Sequence, residues 1–280
     1  MKKVFRVIFF FFLGLFVLIN FFSSFEDTAI TLPVDDEFTL EDFDLYDTLS
    51  NEVTATHYRV WRDANQEKRT MSFSFPVSEN DESFNFRDTV KAPAVVTEKA
   101  FWNNFYFMLY DHDKVKLSGL QDSIMTLASR NNIQKNDLLY TVVSMVQDVK
   151  YNYILSADSC ATHTDFPCVP LQRYGLLSPV EFLYSLAGDC DTRTVLLFTL
   201  LKNLGYDPII VNSRQYGHSM LAVDMPSEGD FFTHKGRKFY FWETTSTGWM
   251  PGMLPPDMNN KDYWTIILDY EFQADPTRTY

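Results

Sequence analysis

The chain has 280 residues, 46% of them hydrophobic and 16% aromatic, which is enough to bury a full core and too apolar for a disordered segment. Its formal net charge of −13 at pH 7 argues against broad nucleic-acid binding and against loose adhesion to anionic lipid. Three cysteines are too few for a disulfide scaffold.

Lys2, Lys3 and Arg6 precede an unbroken apolar run over 7–22. A basic start followed by such a run marks an export signal or a signal anchor. Only Ser23-Ser24 hints at a cleavage site, so an uncleaved anchor over 1–25 is favoured over a cleaved signal peptide. Either choice puts the body of the chain outside a bacterial inner membrane, facing the periplasm or the exterior. The membrane is then a partner through the apolar segment.

Residues 26–98 read as an acidic spacer, with Asp35-Asp36-Glu37 and Glu41-Asp42, leading into a small β-rich N-terminal region. Strands are expected over 54–62 and 69–77, a turn over 63–67, and a polar break over 78–83. The main domain is expected over 99–280. Its first stretch, 99–110, is aromatic-rich and has no clear period. Helices follow over 114–132 and 134–149, the second with Leu138, Leu139, Val142, Val143 and Val146 at helical spacing.

Cys160 and Cys168 lie in a loop-like run with Asp, Ser, Thr and Pro. In an oxidising compartment the economical reading is a Cys160–Cys168 staple that leaves Cys190 free; the alternative is three free thiols. C-x7-C is not a usual zinc spacing, so no metal and no other cofactor is expected.

A short helix is expected over 177–184, with Ser178 as N-cap and Pro179 in the first turn. The Gly188-Asp189 turn then leads into a helix from Cys190. Val195, Phe198, Leu201 and Leu204 form its apolar stripe, widened by Leu197 and Leu200, and Gly205 ends it. Strands follow over 208–212, 217–224 and 237–243, with a loop over 226–236, a Gly/Pro-rich connection over 244–256 and a last strand over 263–268. Helices followed by a run of antiparallel strands give an α+β fold.

Cys190 falls at a helix N-terminus, where unpaired N–H groups and the dipole favour a thiolate. His218 starts the second strand and Glu243 ends the third. If these strands pair as a hairpin, both residues reach the same end of the sheet. Glu243 can then orient the His218 ring, and His218 can exchange a proton with Cys190. Asp189 and Asp191 read as helix-start caps or dipole partners. Arg193 reads either as support for the thiolate or as part of a solvated face.

The motifs Gly188-Asp189-Cys190-Asp191-Thr192-Arg193, Gly217-His218-Ser219-Met220-Leu221-Ala222-Val223-Asp224 and Phe239-Tyr240-Phe241-Trp242-Glu243-Thr244-Thr245 resemble the transglutaminase-like superfamily over 142–251. The resemblance implies a papain-like core, with the cysteine helix packed on an antiparallel sheet, and a Cys190–His218–Glu243 triad. The family's third motif usually reads Asp-Pro-Thr; here a glutamate stands in the aspartate's place. It also implies acyl transfer through a Cys190 thioester on peptide or protein amides, with hydrolysis favoured over cross-linking. An alternative is an inactive member that binds a peptide or partner protein in the same cleft, with 99–110 as an exposed aromatic face. The Cys190 backbone N–H suits an oxyanion donor, and a second donor is left open among Tyr151, Tyr153 and Gln172.

Overall fold

A computed structural model of the chain describes residues 45–47, 52–91, 97–161 and 165–269. The fold is α+β. It opens with β1 (Leu45–Asp47), β2 (Glu52–Arg62) and β3 (Lys68–Pro76), which pair antiparallel in the order β1-β2-β3. On β2 and β3 alternate residues are buried, as a half-covered sheet requires; Trp61, Met71, Phe73 and Phe75 point into the core.

The stretch expected as a polar break is instead part of helix α1 (Val77–Thr89). Its sequence has no apolar stripe because its inward face is polar: Ser83 and Arg87 are its buried residues. Helix α2 (Glu98–Asp113) is the aromatic-rich stretch, started by Thr97, whose side chain accepts from the Ala100 N–H. Phe105, Tyr106 and Leu109 of α2 are buried, so its aromatic residues build core rather than an exposed face. Helices α3 (Ser118–Asn131) and α4 (Lys135–Gln147) follow, each shorter than its expected span.

Two short strands, β4 (Tyr153–Ile154) and β5 (Cys168–Val169), pair in parallel, and a Cys160–Cys168 disulfide ties the loop between them. Helix α5 (Pro179–Ser185) carries a full capping box between Ser178 and Glu181. Helix α6 (Cys190–Asn203) follows, and Gly205 beyond it takes the left-handed conformation expected there (φ +77°). Leu196, Leu197, Phe198, Leu200 and Leu201 of α6 are all fully buried, together with Thr194 and Thr199. The helix therefore runs through the core, where one apolar face was expected.

The main sheet has five strands in the order β10-β6-β7-β9-β8: β6 (Pro208–Ser213), β7 (His218–Asp224), β8 (Phe231–His234), β9 (Arg237–Trp242) and β10 (Thr265–Leu268). All its pairings are antiparallel. The expected hairpin of the second and third strands is present as β7–β9, with Leu221 opposite Trp242. The loop expected between them holds β8, which pairs with the outer edge of β9. One apolar core joins Trp61 and Phe73 of the first sheet to Phe198 and Leu221 around α6.

The expected membrane partner is corrected here: among the described residues no helix is long and apolar enough to cross a membrane. The apolar run over 7–22 that prompted the expectation lies outside the described residues, as does most of the acidic spacer.

Candidate active site

The turn before α6 is set by close packing. A Cβ at Gly188 would lie 2.6 Å from Cδ2 of Phe182, a ring that is itself buried, so only glycine lets α5 and α6 approach this closely. Asp189 is the N-cap of α6 and accepts from the Thr192 N–H at 3.0 Å. Cys190 is the first helical residue and the free cysteine of the chain.

The thiol is buried, with 7% of the residue exposed. The Ser219 backbone N–H donates to it, so the residue beside His218 lies against the sulfur. Burial first, then the charges of Asp191 and Asp189, push the thiol well above its ordinary value, and the Ser219 N–H opposes them only in part. The thiolate expected from the helix N-terminus is thus outweighed, and the resting group is a neutral thiol. Burial and the neighbouring Asp191 also push the Asp189 carboxyl upward.

His218 and Glu243 meet at one end of the sheet, where the β7–β9 register brings the start of one strand beside the end of the other. His218 Nε2 lies 2.7 Å from Glu243 Oε2, both side chains being largely buried. The other carboxylate oxygen, Oε1, accepts from the backbone N–H groups of Thr244 (2.7 Å) and Thr245 (2.8 Å) and from the Thr245 hydroxyl (2.8 Å). Burial would raise the Glu243 carboxyl, but the hydrogen bond and charge of His218 together with the Thr245 donors outweigh it and hold the group ionised. Gln147 of α4 donates to the Glu243 carbonyl at 2.7 Å and fixes the backbone.

Asp191 is not the cap of α6 but stands in its first turn, the place expected of a dipole partner. Its Oδ1 accepts from the Tyr106 hydroxyl of α2 at 2.8 Å and from the Ser219 hydroxyl of β7. Asn212 of β6 donates to the Tyr106 oxygen at 3.2 Å, and its Oδ1 lies 2.9 Å from the Ser219 hydroxyl. Four elements are thereby tied around the start of α6. Tyr106, Asn212, Ser219, Thr245 and Gln147 were missed as site residues in the sequence. Thr245 alone carried a local signal, a hydroxyl two residues after the acid.

Of the residues held open for a supporting role, Tyr151 reaches Cys190, whose backbone N–H donates to its hydroxyl. Burial, then the nearby Cys190 and Asp189, push that hydroxyl far above its ordinary range. Tyr153 packs edge-on against Tyr151 at 5.4 Å and donates to Asp165 at 3.1 Å. Gln172 turns to another partner, accepting from Arg87 at 2.9 Å and donating to the Pro170 carbonyl.

Arg193 is fully buried and serves the backbone rather than the thiol. It donates to the carbonyls of Gly188 (3.0 Å), Val146 (2.8 Å) and Val149 (2.6 Å), so it closes the end of α4 and the Gly188 turn together. Burial lowers its guanidinium to about 10.

The fold and site together define an α+β protein that gathers one cysteine, one histidine and one glutamate at the junction of a central helix and an antiparallel sheet. No protein-family model, no curated protein and no solved structure matches the chain.

Proposed function

We propose that the chain is a thiol-dependent acyl-transfer enzyme acting on peptide or protein amides, with a papain-like, transglutaminase-like core and hydrolysis as its main outcome. The observation that carries the reading is the His218–Glu243 hydrogen bond of 2.7 Å, beside the one cysteine left free by the disulfide. A structural histidine at a sheet end does not need a partner carboxylate with three further donors. An orienting acid that must stay ionised does.

In this mechanism Glu243 holds Nε2 of His218, which leaves Nδ1 to take the Cys190 proton. The sulfur attacks the amide carbon as that proton leaves, so the neutral resting thiol is activated only during attack. The Tyr151 oxygen already takes the Cys190 N–H, so the oxyanion forms against the Tyr151 hydroxyl proton. His218 returns the proton to the leaving amine, and water then releases the acid from the thioester. The disulfide supports export to an oxidising compartment.

The test is alkylation of the purified full chain with iodoacetamide at neutral pH, read by mass spectrometry at Cys190. Stoichiometric labelling is expected, slowed about 100-fold in His218→Ala. A peptide-amide mixture should leave a hydroxylamine-labile acyl adduct on Cys190. Labelling indifferent to His218→Ala, with no acyl adduct, overturns the reading.

A further inference from the structure

The disulfide loop does more than close on itself. Its second half runs along β4, where the Tyr153 N–H donates to the Pro167 carbonyl at 2.8 Å and the Leu155 N–H to the Val169 carbonyl at 3.0 Å. Cys168 stands opposite Tyr153 in this pairing. Phe166 is thereby laid against two tyrosines, 5.3 Å from the Tyr151 ring and 5.9 Å from the Tyr153 ring, edge-on to both. The same Tyr151 takes the backbone N–H of Cys190 on its hydroxyl and has the Arg193 guanidinium 5.7 Å from its ring centre. A continuous line of contacts thus runs from the disulfide through Phe166 and Tyr151 to the nucleophile.

Phe166 is 47% exposed, although it lies in a cluster of three rings beside a buried thiol. An open aromatic ring one residue away from a reactive group offers edge and face to an incoming side chain. The surroundings choose the chemistry. Asp165 is the acid of the cluster, and its carboxylate is engaged by the Tyr153 hydroxyl at 3.1 Å. The charges of Asp191, Asp189 and Glu243 all act on the thiol and oppose an anionic substrate residue.

We propose that Tyr151, Tyr153 and Phe166 form a recognition subsite for an aromatic or large apolar side chain on the acyl side of the attacked amide, held beside Cys190 by the Cys160–Cys168 disulfide. The inference rests on the acyl-transfer reading above and assigns the substrate class of the same site. Phe166 is the specificity-determining residue, since Tyr151 and Tyr153 are more deeply packed.

The experiment compares three N-acetyl aminoacyl chloromethyl ketones on the full chain, bearing phenylalanyl, alanyl or lysyl side chains. Each alkylates a thiol: a C–S bond forms, chloride leaves and the thiol proton passes to the base. The readout is the ratio of rates at Cys190. The phenylalanyl reagent is expected to react at least about tenfold faster than the alanyl one, and Phe166→Ala to bring that ratio close to one. The Cys160→Ser/Cys168→Ser pair, which frees Phe166 from its tether, is expected to lower the ratio as well. A wild-type ratio near one, a ratio unchanged in Phe166→Ala, or a preference for the lysyl reagent overturns the subsite while leaving the acyl-transfer reading intact. A ratio that falls in Phe166→Ala but not in the cysteine pair keeps the subsite and overturns the tether. Failure of all three reagents to label wild-type Cys190 overturns both.

Discussion

The Cys190 thiol sits beside two carboxyl groups, Asp191 and Asp189, and both act against its ionisation. Asp191 is held by hydroxyls of Tyr106 and Ser219, so its charge is kept in place beside the sulfur. Asp191→Asn keeps an oxygen for those donors and removes the charge; its alkylation profile is expected to move to lower pH, with faster labelling at neutrality. Asp189 adds a stability effect whose sign follows from its raised carboxyl. The group moves from an ordinary value of 3.8 to about 7 in the folded chain. The folded chain therefore holds this proton more tightly than the unfolded one. Ionising it costs stability as pH rises from 3.8 toward about 7, and the full cost stands above that. Asparagine caps a helix as well as aspartate does. Asp189→Asn is thus expected to melt above wild type at pH 8, by roughly 3 °C or more, and level with it at pH 4. Calorimetry at the two pH values checks this; equal melting at both, or a lower melting point for the variant at pH 8, overturns it.

Helix α6 depends on the turn that launches it, and that turn depends on the absence of a side chain at residue 188. Gly188→Ala forces a Cβ to within 2.6 Å of the buried Phe182 ring and 3.0 Å of Thr192 Cγ2. Overpacking of this kind costs about 1–3 kcal/mol. The displaced turn should also carry Cys190 away from Ser219 and slow its alkylation. Urea unfolding and labelling measured on the same sample check the two effects together; a variant with unchanged stability shows that Phe182 yields freely. This turn was legible in the sequence because its signals are local: Gly188-Asp189, a leucine-rich run and a closing Gly205. Helix α1 was not legible, because it buries Ser83 and Arg87, and a polar inward face leaves no hydrophobic period to read. Strand β8 was hidden for a related reason, being a short strand at the edge of the sheet that, among the described residues, pairs with β9 alone. Among site residues, His218 and Glu243 could be paired by strand order alone. Choosing Tyr151 over Gln172 required knowing that Arg87 claims the glutamine.

Across the whole molecule the N-terminal sheet and α1 are fastened to the half that carries Cys190 by buried polar ties as well as by the shared core. The Trp61 indole donates to the Thr141 carbonyl of α4 at 3.2 Å, and Arg59 pairs with Asp148 at 2.9 Å. The strongest tie is Arg87 of α1, wholly buried, which holds Glu181 through Nε at 2.7 Å and through a second nitrogen at 2.8 Å. Glu181 also accepts from the Ser178 N–H, so the same carboxylate closes the cap of α5, the helix that packs Phe182 over Gly188. Loss of Arg87 therefore leaves a buried carboxylate without its charge partner at the element that packs over the Gly188 turn. Breaking such a pair from one side costs about 3–5 kcal/mol, whereas replacing both partners by apolar residues costs far less. Arg87→Met is expected to lower the urea midpoint by that amount of stability, and the Arg87→Met/Glu181→Leu pair to recover part of it. The recovery stays partial because Ser178 loses its acceptor. Both variants should still unfold in one transition when followed by tryptophan fluorescence and by far-ultraviolet circular dichroism, because Trp61, Phe198 and Leu221 belong to one core. A loss below about 1 kcal/mol in Arg87→Met would show that water reaches Glu181 and that the tie is a surface one in energy.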